Sequence, residues 1–266
     1  MEALADAEGV FAVLAPYVYT FCLALTRVAA LFTTTPLFNA PTVSRSIKAA
    51  LVGILTVFIM ITTDPVSPDL RLEFFSVLGA IVIEAIVGAV MGLGVLVLFA
   101  ALQFTGQLVG IQMGFAIANV VDPTTFQQVG VLSQFLNVLG LMLFLTLDGH
   151  LLVLQALFES TTIVPLGTGD PQGRLIIGEL IRYGSKIFSM GLRIGLPVVC
   201  VVLLVNVGLA TLARTVPQVN IFILGFLFTI SIGITVLGLA LPSTGMVFSR
   251  FLENALYDVV AMLELF

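Results

Sequence analysis

A chain of 266 residues that is 59% hydrophobic and only 9% charged, with a mean hydropathy of +1.20, is not an ordinary soluble domain, since those carry about 25% charged residues. It reads as an integral membrane protein, and a helical one, because its apolar runs are far longer than barrel strands of about 10 residues. The net charge of −5 argues against a nucleic-acid partner, while a single histidine, His150, leaves little for a metal site, and Cys22 and Cys200, both inside apolar runs, argue against a disulfide.

The first nine residues, MEALADAEG, carry Glu2, Asp6 and Glu8 but no basic residue. A secretory signal needs a basic start, so the first apolar run is expected to stay as an uncleaved span. That run covers Gly9 to Thr26 and is closed by Arg27. Val28 to Ser44 continues without charge, but Pro36, Asn39 and Pro41 read as a connection. Ala49 to Thr63 is a second run of 15 residues, shorter at ~1.5 Å per residue than a ~30 Å hydrocarbon core. DPVSPD, 64 to 69, is a turn.

The third run, Phe74 to Val121, has 48 residues and one charge, Glu84. As a single helix it would be roughly 70 Å long, over twice a bilayer core. It is expected to bend, break or leave the lipid, with one helix reaching about Phe104. Asp122-Pro123 then resets the chain: Asp caps helices, Pro suits a first turn, and the residue before Pro resists helical angles. A fourth run reaches Asp148, a less hydrophobic helix covers His150 to about Thr162, and PLGTGDPQG is a turn.

From Leu175 to Arg193, Glu179, Arg182, Lys186, Ser189 and Arg193 recur three or four apart, one polar stripe on an apolar helix. Ile194 to Ala213 follows, interrupted by Pro197 and holding Asn206. RTVPQVN, 214 to 220, is a tight connection to the last long run, Ile221 to Leu241, and the tail from Ser243 reads as a short amphipathic helix. The fold class is therefore all-α, with about six long hydrophobic helices and no soluble domain. The positive charges fall on both sides of any simple six-span arrangement, so the positive-inside rule gives no orientation. A short second run, an over-long third and a basic stripe point to helices packed in a protein assembly.

Glu84, near the start of its apolar run, needs a partner, and Arg27, Arg193 and Arg214 all border spans. Two readings stand: a structural ion pair locking helices, or a proton-carrying carboxylate. Gly167 to Asp170 matches the Gly-x-Gly-Asp of intramembrane aspartyl proteases, yet it sits in a turn and lacks a correctly placed second aspartate. Asp148-Gly149-His150 has no nucleophile motif beside it and reads as a helix end. Gly88 and Gly92, followed by Gly94, form a close-packing face.

The stretch GQLVGIQMGFAIANVVDP, 106 to 123, carries Gly106, Gly110, Gly114 and Ala118 at every fourth position. Gln107, Gln112, Asn119 and Asp122 make it a poor lipid-facing span. Two readings remain open, a helix-packing face and a pore-lining irregular segment. In the second, Ile111, Met113, Phe115, Ile117 and Val120 would supply a soft apolar seal.

Together this stretch, VLSQFLNVLGLMLFLTLDGHLLVLQAL (131 to 157) and LPVVCVVLLVNVGLATLARTVPQVNIFILGF (196 to 226) resemble the FliR family of flagellar type III export-gate membrane subunits. Order, spacing and length fit from about Arg27 onward, although Asp148 stands where the family leads one to expect a small or amide residue. The resemblance implies a non-enzymatic subunit without cofactor or metal, in the bacterial inner membrane at the flagellar basal body. It would assemble with FliP-like and FliQ-like subunits, beside FlhB-like and FlhA-like components, to form the gated entrance for unfolded flagellar proteins. Gly106 to about Asp122 would be the plug. Residues 1–172 would be a FliP-like part, and 173–266 a FliQ-like hairpin and tail, with Pro217, Gln218 and Asn220 in the hairpin connection. No Gly-x-x-x-x-Gly-Lys-Ser/Thr loop is present, so the chain supplies no ATPase site of that kind. The alternative from another class is a small-solute or ion transporter, which predicts matched pairs of broken helices.

Overall fold

The computed structural model describes residues 2–39, 44–66, 74–115, 130–169, 173–215 and 221–266, and among them there is no strand. The helices are α1 (Glu2–Thr34), α2 (Pro36–Asn39), α3 (Arg45–Thr62), α4 (Phe74–Gln112), α5 (Val131–Thr146), α6 (Gly149–Ile163), α7 (Gly173–Thr215) and α8 (Ile221–Leu263). Five are long and apolar enough to cross a membrane, or six if α5 and α6 form one broken span. This matches the sequence expectation of about six.

Four boundaries differ from the sequence reading. The first span does not close at Arg27, because Arg27 is buried and paired within the protein, and α1 continues to Thr34. It stops where Thr35 precedes Pro36, a position that resists helical angles, and Pro36 opens α2. The third run does not break near Phe104: α4 holds 39 residues, about 58 Å, and runs on through Gly106 and Gly110. The polar stripe and the apolar run after it are one helix of 43 residues through Pro197, and the last run and tail are another of 43 through Pro242. A single proline removes one rung from such a ladder, and neighbouring groups re-satisfy it.

Local signals fix the remaining ends. Ser44 caps α3, its hydroxyl accepting the Ile47 N–H at 3.4 Å, and Thr63 leaves the helix in extended geometry. Asp148, at φ +54°, turns the chain in the two-residue break between α5 and α6.

The chain divides into two compact units. The first comprises Met1–Leu96, His150–Ile181 and Asn254–Phe266. In it α1 packs on α3 and presents Leu23, Val28 and Leu31 to a core that includes Val87 and Leu157. Gly88 and Gly92 let α4 lie directly on α1, as the sequence spacing predicts. A Cβ at Gly88 would overlap the Arg27 carbonyl oxygen, and one at Gly92 the Thr34 hydroxyl. The second unit comprises Val97–Gly149 and Arg182–Glu253. Its core holds Leu98, Leu102 and Val109 of α4, Leu136 and Phe144 of α5, and Met190, Ile194, Val198 and Val202 at four-residue spacing on α7. The Phe99 and Phe144 rings meet with centroids 5.9 Å apart.

Candidate functional site

In the first unit, burial forces a charge pair. Of the three arginines that border spans, Arg27 is the partner of Glu84, with Nε donating to Oε2 at 2.5 Å and both side chains essentially inaccessible. The remaining guanidinium donors are also used. Nη1 donates to the Ser160 carbonyl at 3.0 Å and its hydroxyl oxygen at 3.2 Å, and Nη2 donates to the Val164 carbonyl at 2.9 Å. Glu84 Oε1 accepts the Gly167 N–H at 2.9 Å. The pair therefore ties α1, α4, α6 and the turn after α6 together. An arrangement so fully satisfied holds helices in place.

In the second unit, the stretch from Gly106 splits into two physically different parts. Gly106 is a packing residue: a Cβ there would overlap the Ser133 backbone, so α4 and α5 touch main chain to main chain. Ser133 seals the contact by donating its hydroxyl to the Gln103 carbonyl at 3.1 Å. Thr105 does the same toward α7, its hydroxyl lying 2.8 Å from Ala101 O and 3.0 Å from Gly191 O. On the opposite face of α4, Gln103, Gln107 and Ile111 are exposed.

The helix then ends at Gly114 by a specific hydrogen-bond pattern. The Phe115 N–H donates to Gly110 O at 3.0 Å, the Gly114 N–H to Ile111 O at 3.1 Å, and Gly114 has φ +91°. This six-to-one and five-to-two pairing around a left-handed glycine is the Schellman cap. Met113, fully buried, sits against α8. Its carbonyl oxygen lies 3.1 Å from the Thr229 hydroxyl, and its side chain fills the space over Gly233, where a Cβ would overlap it. The Phe226 ring covers Gly114, 2.9 Å from where a Cβ would stand. Beside this junction an open cleft of about 390 Å³ is lined by Gln112, Gly114, Asn206, Leu209, Phe226 and Thr229.

Ile117, Asn119 and Asp122 of the predicted plug, the Asp122-Pro123 break, and Pro217, Gln218 and Asn220 of the hairpin connection lie outside the described residues. Arg214 is exposed in the last turn of α7, and Arg193 lies over the Phe251 ring at 5.9 Å. Cys22 and Cys200 are free thiols. Among the described residues no group of His, Cys, Asp or Glu is arranged to hold a metal ion. The sequence reading did not identify Ser160 and Gly167 as partners of the ion pair, nor Phe226, Thr229 and Gly233 as the seat of Met113. Thr229 and Gly233 are four apart on α8, a spacing that puts them on one face, but their partner lies 116 residues from Thr229.

Helices of this length and apolarity, braced by a buried charge cluster, define a polytopic all-helical membrane protein. Within that class, residues 18–255 match the sequence model of the bacterial export proteins, family 1, and the chain belongs to that family. It is 34% identical over 237 residues to the flagellar biosynthetic protein FliR of Pectobacterium carotovorum subsp. carotovorum, covering 88% of each chain. It is 32% identical over 245 residues to FliR of Escherichia coli strain K12, covering 91% of this chain and 92% of that one. FliR of Bacillus subtilis strain 168 is 31% identical over 222 residues, covering 82% and 84% respectively. The chain is a member of the FliR family, as its three sequence segments indicate.

Proposed function

We propose that this chain is the FliR-like subunit of a flagellar type III export gate in the bacterial inner membrane. With FliP-like and FliQ-like subunits, and beside FlhB-like and FlhA-like components, it forms the gated entrance through which unfolded flagellar proteins pass. The observation that carries this reading is the 31–34% identity to flagellar biosynthetic proteins over more than four-fifths of both chains. The fold supports an assembled state. Only 11% of the most apolar window of α7 and 17% of that of α8 are buried within the chain. Each helix is about 65 Å long, twice a ~30 Å hydrocarbon core, so much of that apolar surface calls for protein partners.

In this reading residues 1–172 are the FliP-like part and 173–266 the FliQ-like hairpin and tail. The stretch from Gly106 to Asp122 seals the pore, rooted where α4 ends. Gln103 and Gln107, exposed on α4, suit a water-filled path or a partner helix and not lipid. The subunit acts as part of a conduit and not as a catalyst, with energy supplied by partners or by the proton gradient.

Purification tests the reading. The chain, extracted from membranes in mild detergent, should bring FliP-like and FliQ-like chains with it. Recovery of a stable monomer that transports a small solute would overturn the proposal in favour of a transporter.

A further inference from the structure

The junction between α4 and α8 is more constrained than a helix end requires. A Schellman cap closes α4 by itself, through Gly114 and the Gly110 and Ile111 carbonyls. Three additional contacts fix that cap to α8. Thr229, almost fully buried, directs its hydroxyl between Gly225 O at 2.8 Å and Met113 O at 3.1 Å. Met113 is buried completely, with its Cγ and Sδ each 2.9 Å from where a Cβ would stand on Gly233. The Phe226 ring closes over the left-handed Gly114. The three α8 residues lie at positions 226, 229 and 233, one face of the helix by three- and four-residue spacing.

We infer that Phe226, Thr229 and Gly233 are positioning residues that anchor the root of the plug at Met113–Gly114, so that the seal of the pore is set by where α8 stands. The inference rests on the plug reading above and adds which element controls it. A hydroxyl shared with a main-chain oxygen fixes the root along the helix axis. A side chain lodged over a glycine fixes its depth. The glycine at φ +91° fixes the direction in which the chain departs. A shift of α8, the second arm of the proposed FliQ-like hairpin, acts directly on Met113, because the methionine side chain lies over Gly233 and its carbonyl oxygen faces the Thr229 hydroxyl. Movement of the hairpin by its neighbours in the complex is thereby passed to the plug.

The test uses the assembled export-gate complex in membranes, with ion flux across the membrane and co-purification of the subunits as separate readouts. Three variants are compared with the parent: Thr229→Val, which keeps shape and removes the hydroxyl; Gly233→Val, which displaces Met113; and Thr229→Ser, which restores the hydroxyl. Deletion of residues 110–118 serves as the reference for an unplugged pore. Complexes with Thr229→Val should assemble and leak about fivefold more than the parent, Gly233→Val should leak more, and Thr229→Ser should be as tight as the parent. If Gly233→Val does not assemble, Thr229→Val and Thr229→Ser decide the matter alone. A leaking deletion with a tight Thr229→Val complex would overturn the anchor while leaving the plug reading in place. A tight deletion complex would remove the plug reading, and the anchor with it.

Discussion

Arg27 of α1 and Glu84 of α4 form a fully buried ion pair, 57 residues apart in sequence and 2.5 Å apart in space, in which the guanidinium also reaches Ser160 and Val164. The pair explains two features of the chain at once. An arginine can stand within a long apolar helix, and a lone acid can stand inside α4, because each is the other's counterion and every polar side-chain atom of both has a partner.

Removing either partner leaves a buried charge unpaired, which costs about 3–5 kcal/mol. Glu84→Gln keeps the shape but not the charge, and should lower the yield and thermal stability of the assembled complex. Arg27→Lys should fail nearly as badly, since one ammonium cannot serve acceptors at Glu84, Ser160 and Val164 in the fork that arginine offers. Quantifying the complex by co-purification checks both. Normal yield of Glu84→Gln with export abolished would instead favour a proton-carrying carboxylate.

Gly106 and Gly110 look alike in the sequence but should respond in opposite ways. A side chain at Gly106 meets the main chain of Ser133, which cannot yield without moving α5. Gly106→Val should destabilise the protein by about 3 kcal/mol or more. At Gly110 the nearest atom to a new Cβ is a Leu132 methyl at 3.9 Å, ordinary contact distance. Gly110→Ala should leave stability unchanged or raise it by up to about 1 kcal/mol through helix propensity. Thermal unfolding of the two purified variants distinguishes them, and equal destabilisation would contradict the packing described here.

The span count, the helical class and the Gly88–Gly92 packing face were legible in the sequence because they follow from apolar length and residue size. The ion pair was legible to the extent that Glu84 demanded a cation, and Arg27 was among three possibilities. Two kinds of information were not. Continuity across Arg27 depends on Glu84, a neighbour that neutralises its charge and lies 57 residues away in sequence. The sequence places the end of α4 near Phe104 and its strongest break signal at Asp122-Pro123, whereas the helix runs to Gln112. The Gly114 cap was hidden because Gly106 and Gly110, identical in type, sit inside the helix. Only the contacts with Ser133 and Phe226 separate a packing glycine from a capping one.

Gly114 carries a backbone angle that costs an ordinary residue about 1–2 kcal/mol, and Phe226 leaves no slack above it. Gly114→Ala should therefore lower the melting temperature of the complex modestly. Pairing it with Phe226→Leu, which thins the ring cover, should recover only the steric part of the loss. Complete recovery in the double variant would mean that the left-handed angle is not required.

Deleting residues 110–118 removes the cap, Met113 and half of the proposed plug, yet it should spare assembly. The contacts with α8 at Met113 and Gly114 are lost, but others that hold α4 in the second unit lie before the cut: Gly106 against Ser133, Thr105 beside Gly191, and Leu98 and Leu102 in the core. Helix α4 would end near Val109, its apolar face still buried. What disappears is the bulky apolar material of Ile111, Met113, Phe115 and Ile117 that suits a water-excluding seal. The deletion complex should therefore co-purify with its partners at close to parental yield while the membrane becomes permeable to ions. Flux assays on cells and on reconstituted vesicles, with subunit yield measured on the same preparations, read the two effects separately. An assembled, impermeable deletion complex would show that the seal lies elsewhere in the gate.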